Sequence, residues 1–165
     1  MEQAIVSGIA VNRGLAKVSV LGVPHQPGIA SHMLRIMADA RIEVGAIVQN
    51  MGKDGKTDLS FTVHSSDCVR TVELLQDQVI PTLGAREVVG DTGVCEVSIV
   101  GIGMRSDVGV ASKMFGTLRE AGIQAQMLSA SETKTSVVIE ETQVELAVRS
   151  LREAFALDPQ AAPAA

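Results

Sequence analysis

Val18-Ser19-Val20-Leu21-Gly22-Val23 recurs, one substitution at a time, as Val97-Ser98-Ile99-Val100-Gly101-Ile102. Downstream of each copy, Gly28-Ile29-Ala30-Ser31-His32-Met33 is matched by Gly109-Val110-Ala111-Ser112-Lys113-Met114, after a loop slightly longer in the second copy. The register then holds through Ala40 with Ala121, Ile42 with Ile123 and Ile47 with Leu128. An internal repeat of this length means that one supersecondary unit has been used twice.

Each copy predicts the same string of elements. In the first, Lys17–Val23 is an apolar strand broken by Pro24-His25-Gln26-Pro27. Ile29, Met33, Ile36, Met37 and Ala40 then fall on one helical stripe. Glu43–Met51 and Asp58–His64 predict two strands around the turn residues Gly52-Lys53-Asp54-Gly55. A second helix carries Val69, Val72, Leu75 and Val79, with Ser65-Ser66-Asp67 as capping candidates, and a strand follows near Arg86–Val89. The second copy predicts a strand at Glu96–Ile102 and a helix with Val110, Met114, Leu118 and Ala121. Strands at Gln124–Ser129 and Lys134–Ile139 come next, then a helix opened by a Thr142–Glu145 capping box and carrying Val144, Val148, Leu151 and Phe155.

The order is that of a ferredoxin-like βαββαβ module, and the fold class is α+β, antiparallel sheets with helices on one face. The second copy lacks its last strand, because the chain runs into Asp158-Pro159-Gln160-Ala161-Ala162-Pro163. The segment Ala4–Val11 belongs to neither copy. An unfilled sheet edge exposes unpaired backbone groups, so this strand is expected to complete the second sheet. The first module, residues 14–92, is then inserted in the second, residues 1–13 plus 93–157, with 158–165 as a flexible tail.

Composition narrows the function. Of 165 residues, 14 are Lys or Arg and 19 are Asp or Glu, a formal net charge of −5. Trp and Tyr are missing, and the aromatic residues are Phe61, Phe115 and Phe155. Without a basic patch or stacking aromatics, nucleic acid is not the expected partner. No apolar run reaches the ~18–20 residues that span a bilayer, and no secretory signal opens the chain, so a cytoplasmic protein without membrane contact is expected. Cys68 and Cys95 lack the spacing of a zinc site, and a disulfide between them stays open. Asn50-Met51-Gly52-Lys53-Asp54-Gly55-Lys56-Thr57 approaches a phosphate-binding loop but starts with Asn and falls in a hairpin. His25, His32 and His64 lie on different elements, so no catalytic constellation assembles and no metal or cofactor is expected.

Two features favour ligand binding. Gly28 and Gly109 each sit where a helix begins, followed by small residues, and early helical N–H groups lack intrahelical partners. A carboxylate can approach the N–H groups of Gly28, Ile29 and Ala30; a tight turn would equally account for either glycine alone. Gln49 and Asn50 end an otherwise apolar strand, where amides both donate and accept. A solvated strand end is the plainer account of that pair.

These residues have a family resemblance. Leu21-Gly22-Val23-Pro24-His25-Gln26-Pro27-Gly28 with Val48-Gln49-Asn50, and Val100-Gly101-Ile102-Gly103-Met104 with Leu128-Ser129-Ala130-Ser131-Glu132, resemble the paired ACT domains of aspartokinases. The similarity runs from residue 3 to about 156 and leaves out the kinase domain of that family. It implies a non-catalytic regulatory (β) subunit that forms a homodimer, joins the catalytic α subunit, and binds threonine for feedback inhibition of aspartate-family amino-acid synthesis. By that resemblance the effector contacts are His25, Gln26, Gly28, Ile29, Ala30, Gln49 and Asn50, with Gln124, Ala125 and Gln126 from a paired module. A second effector pocket would use Met51, Gly52, Asp107, Gly109, Val110 and Ala111. The chain departs from the family pattern at His25, often Asp in relatives, and at Gln124, often Asn. Ala111 and Gly52 replace hydroxyl-bearing residues of some lysine-responsive relatives.

A buried lysine ε-ammonium requires a carboxylate partner, and Pro24–Ala30 contains none. Threonine needs a carboxylate site, acceptors for its ammonium and one partner for its hydroxyl, all of which amides and main chain supply. Threonine is therefore the expected effector, with lysine as a second one through Asp107. The competing expectation is a free-standing ACT sensor of another amino acid, controlling another enzyme or transcription.

Overall fold

A computed structural model describes residues 5–104 and 108–157. Ala4, Asp107 and the 158–165 tail, all invoked by the sequence reading, lie outside the described residues. The chain divides into two compact units, Gly14–Gly93 and Met1–Arg13 with Val94–Ala165.

The Gly14–Gly93 unit contains α1 (Ile29–Asp39), β2 (Ile47–Met51), β3 (Lys56–His64), α2 (Cys68–Gln78) and the short α3 (Ile80–Leu83). It also takes the second part of β1 (Ile5–Pro24) and the first part of β4 (Glu87–Ile102). Its strands run in the order β2-β3-β1-β4. β3 pairs antiparallel with β1 from Leu15↔His64 to Pro24↔Lys56, and β2 pairs antiparallel with β3 from Ile47↔Phe61 to Met51↔Thr57. Alternate strand residues Val18, Val20, Leu59, Phe61 and Val63 pack against Met33, Met37 and Leu75 of the helices.

The other unit takes the first part of β1 and the second part of β4, with α4 (Val108–Glu120), β5 (Met127–Ala130), β6 (Lys134–Glu140) and α5 (Val144–Ala154). Its order is β1-β4-β6-β5, and the Ser7 hydroxyl donates to the Val100 carbonyl (3.2 Å) across β1 and β4. The N-terminal strand thus lies beside β4 in this unit's sheet. Val97, Ile99, Val137 and Ile139 face Met114, Leu118 and Leu151 in a second core. The repeat extends to polar residues: Ser19 meets Ser60 (2.8 Å), and Ser98 meets Ser136 (2.6 Å), at equivalent points of the two units.

Six local expectations differ from the structure. The two strands expected at each end of the inserted module are single long strands, β1 and β4, which run on through Gly14 and Gly93 at φ 72° and 81°. β2 starts at Ile47 and not Glu43. Gly45 still donates to Thr62, and Thr62 to Ala46, but through irregular backbone; a side chain at Gly45 would collide with the Thr62 hydroxyl. β5 likewise starts at Met127, although Gln126 already donates to Val138. The buried face of α2 is Cys68, Thr71 and Leu75, and Val69 is 69% exposed. That rotation follows from a 3₁₀ turn at Ser65–Asp67 that sets the phase of the helix. The capping side chains are bypassed for the same reason. Cys68 N–H donates to the Ser65 carbonyl, and Asp67 instead accepts from Arg70 (3.1 Å). A matching 3₁₀ turn at Glu141–Gln143 makes Gln143 the N-cap of α5, with no side-chain cap, in place of the Thr142–Glu145 box.

Helix ends show the repeat once more. Arg41 and Gly122 donate to Ala38 and Arg119, and Ile42 and Ile123 to Met37 and Leu118, which closes α1 and α4 alike. Arg41 does so at φ 57°, a left-handed conformation that costs an L-residue roughly 1–2 kcal/mol, whereas Gly122 occupies the same position freely. Arg41→Gly is therefore expected to stabilise the chain by about 0.5–1 kcal/mol, read as a higher urea midpoint. An unchanged or lower midpoint would contradict this.

Candidate functional site

The loop between β1 and α1 is built by two prolines and held from below by the β2–β3 hairpin. His25 N–H donates to the Gly55 carbonyl (3.0 Å), and the His25 ring Nε2–H donates to the Lys56 carbonyl (2.8 Å). Gln26 reaches across to the Leu83 carbonyl (3.4 Å). Gly28, at φ 84° and ψ 12°, is the N-cap of α1 and offers no side-chain acceptor. Its carbonyl takes the His32 N–H (2.9 Å), and the N–H groups of Ile29, Ala30 and Ser31 have no protein partner among the described residues. The space over Gly28 is open, so it is the positive φ and not crowding that calls for glycine. Ile29 itself is buried in the core and can contribute main chain alone.

Register separates the two amides that are adjacent in sequence. Gln49 lies opposite Leu59, on the helix-covered face, whereas Asn50 lies opposite Asp58, on the other face. Gln49 therefore shares a side of the sheet with α1, and Asn50 does not. Met51 is opposite buried Thr57, whose hydroxyl has no partner, and Gly52 N–H donates to Lys56 to close the hairpin.

On its own face Asn50 joins residues that the sequence reading missed. Gly22, Lys53, Asp54, Lys56, Asp58 and Arg86 line a cavity of about 390 Å³ with it. The signal available in sequence was the charged Gly52–Lys56 hairpin alone, since Gly22, Asp58 and Arg86 arrive on three separate strands or strand ends.

In the other unit, Gln124, Ala125 and Gln126 precede β5. Gln124 and Gln126 line a cavity of about 210 Å³ with Gly122, Glu140 and Gln143. The Gln126 Oε1 atom is buried without a partner. Gly109 falls inside the first turn of α4, unlike Gly28 at its cap; Val110 is a core residue, and Ala111 is part-buried. Among the described residues no group of three His, Cys, Asp or Glu is placed to hold a metal, and no helix is long and apolar enough to cross a membrane.

A family model for the ACT domain matches twice, over residues 18–79 and 97–155. The chain belongs to the ACT domain family, in its aspartokinase branch. It is 52% identical to aspartokinase of Pseudomonas aeruginosa over 161 residues, 98% of this chain and 39% of that protein. Against aspartokinase of Helicobacter pylori it is 43% identical over 159 residues, 96% of this chain and 38% of that one. The chain thus spans about two fifths of the length of these curated relatives. Among solved structures, one of aspartokinase alpha and beta subunits superimposes with a TM-score of 0.86 at 50% identity, covering 93% of this chain and 100% of that one. The regulatory subunit of aspartate kinase from Thermus flavus gives 0.85 at 32% identity, covering 93% and 99%.

Each ACT domain carries one cysteine in its core, and both thiols are free. Burial, with Glu141 nearby, pushes the Cys95 thiol from an ordinary 9.0 up to about 11; burial and Asp91 raise Cys68 as well. The native state therefore disfavours the thiolate that the unfolded chain forms freely. The contribution of the protonated Cys95 thiol to stability is whole below pH 9 and is lost as pH rises from there toward 11. The urea midpoint is expected to fall across that window, and Cys95→Val to flatten the fall. An identical alkaline slope in the variant would show that other groups cause it.

Proposed function

We propose that the two ACT domains form a non-catalytic regulatory subunit of aspartate kinase that binds threonine and transmits feedback inhibition to a catalytic partner. The observation that carries the reading is coverage: the chain spans the whole of a solved chain from aspartokinase alpha and beta subunits, at 50% identity. The partner in this reading is a catalytic aspartokinase subunit, and a second copy of the chain completes the ligand site.

The unpartnered N–H groups of Ile29, Ala30 and Ser31 support carboxylate binding at α1, where the helix dipole adds to three donors. Gln49, on the same side of the sheet, offers an amide to the ammonium or hydroxyl. The His25 ring is occupied by Lys56 and acts as a strut for the loop. Gln124, Ala125 and Gln126 of a second copy would close the site, and the orphaned Gln126 amide oxygen suits an ammonium once the amide turns outward. Self-association is supported by exposed apolar residues on both edge strands, Ile47, Val48 and Met51 on β2 and Leu128 on β5.

Threonine rather than lysine fits the α1 loop, which has no carboxylate for an ε-ammonium. Lysine would act as a second effector at Gly109, Val110 and Ala111, with Met51 and Gly52 supplied by a second copy; Asp107, its expected partner, is outside the described residues. Inhibition needs only a difference in threonine affinity between two arrangements of the assembly, about 1–3 kcal/mol of coupling.

Calorimetric titration of the chain with threonine and lysine, separately and together, tests the reading. Saturable threonine binding is expected, and Gln49→Ala should weaken it about tenfold through one lost hydrogen bond to a charged group. The unfolding midpoint of Gln49→Ala should stay within about 0.5 kcal/mol of the parent, as at other exposed positions. Absence of threonine binding, or unchanged affinity in the variant, would contradict the assignment.

A further inference from the structure

The first ACT domain holds a charged cavity on the face of its sheet away from α1 and α2, and the threonine reading uses no more of it than its rim. Asn50 and Asp58 are cross-strand neighbours there, and Lys53, Asp54 and Lys56 come from the hairpin above them. Arg86 enters from the chain just before β4, with its N–H on the Leu21 carbonyl (2.8 Å).

Both carboxylates in the wall are fixed by main chain. Asp58 Oδ1 accepts the Gly22 N–H (2.8 Å), and Asp54 Oδ1 accepts the Lys56 N–H (3.0 Å). In each case the second carboxylate oxygen has no donor among the described residues. Gly22 stands at φ 67°, and a Cβ there would lie 2.9 Å from the Arg86 Cβ. Glycine at this point brings the arginine stem against β1 beside the anchored Asp58. The guanidinium has one ionic neighbour, Glu87 at 3.7 Å, and both side chains are exposed, a pair of little energetic weight.

Three cations against two carboxylates leave the lining with a net charge of +1. A bare phosphate would face both anchored carboxylates. A basic amino acid would add positive charge to a wall already positive. A ligand with two carboxylates and one ammonium, net −1, matches the count and the kinds of group present. Arg86 suits bidentate binding of one carboxylate, the two lysines the other, and Asp58 with Asp54 the ammonium. The cavity, about 390 Å³, is within the usual range for small-molecule sites and has no aromatic wall for a base.

We infer that this cavity binds a free amino dicarboxylate, of the size of aspartate or glutamate, at a site separate from the first turn of α1. The inference does not depend on threonine being the effector.

Calorimetry on the full chain with aspartate, glutamate and succinate tests it. Saturable binding of an amino dicarboxylate is expected, with succinate, which lacks the ammonium, at least tenfold weaker. Arg86→Gln and Asp58→Asn should each lower that affinity at least tenfold; asparagine keeps the acceptor for Gly22 N–H, so the fold is retained. Threonine affinity in Arg86→Gln should equal that of the parent, which separates the two sites. Lack of heat from both amino dicarboxylates, equal or tighter binding of succinate, or undiminished affinity in the variants would overturn the inference.

Discussion

A glycine held at φ 84° begins α1 without a side-chain acceptor, and the ligand-binding account rests on that local choice. Most helices satisfy their first N–H groups with Ser, Thr, Asp or Asn at the cap. Here the donors of Ile29, Ala30 and Ser31 have no protein acceptor among the described residues, at the positive end of the helix dipole. Everything around the cap keeps it in place: Pro24 and Pro27 limit the loop, His25 ties it to the hairpin, and buried Ile29 and Met33 fix the helix to the sheet.

The two ACT domains differ in how they use one plan. Both enter their second helix through a 3₁₀ turn, both carry a serine pair across neighbouring strands, and α1 and α4 end in the same backbone closure. At the candidate sites they diverge. By register, Gln49 of the first domain corresponds to Ala130 of the second, so the amide on the helix-covered face has no counterpart there. The first domain has a charged cavity of about 390 Å³ beside Arg86 and Asp58, whereas the second has a small polar one lined by glutamines and Glu140 and a larger one, about 670 Å³, lined by Arg13, Arg149, Glu145 and Glu153. Duplication supplied two scaffolds, and side-chain substitution gave them different chemistry.

Much of this was legible in the chain before its structure. The repeated strand and the recurring Gly28 and Gly109 gave the module order. The surplus N-terminal strand was readable as a strand, and it lies beside β4 in the sheet. What was hidden depended on phase or on distant approach. A 3₁₀ turn of three residues rotates α2 and exposes Val69, which periodicity alone had buried. Gln49 and Asn50 read as a pair, but strand alternation sends them to opposite faces. Asp58 and Arg86 are 28 positions apart, and only the sheet brings them together across Gly22.

The account comes down to where a small zwitterion places its carboxylate, and backbone amides report this directly. In a ¹⁵N-resolved NMR titration of the chain with threonine, the resonances of Ile29, Ala30 and Ser31 should move first and farthest, and saturate together. Saturation elsewhere with those three amides unmoved would contradict the account.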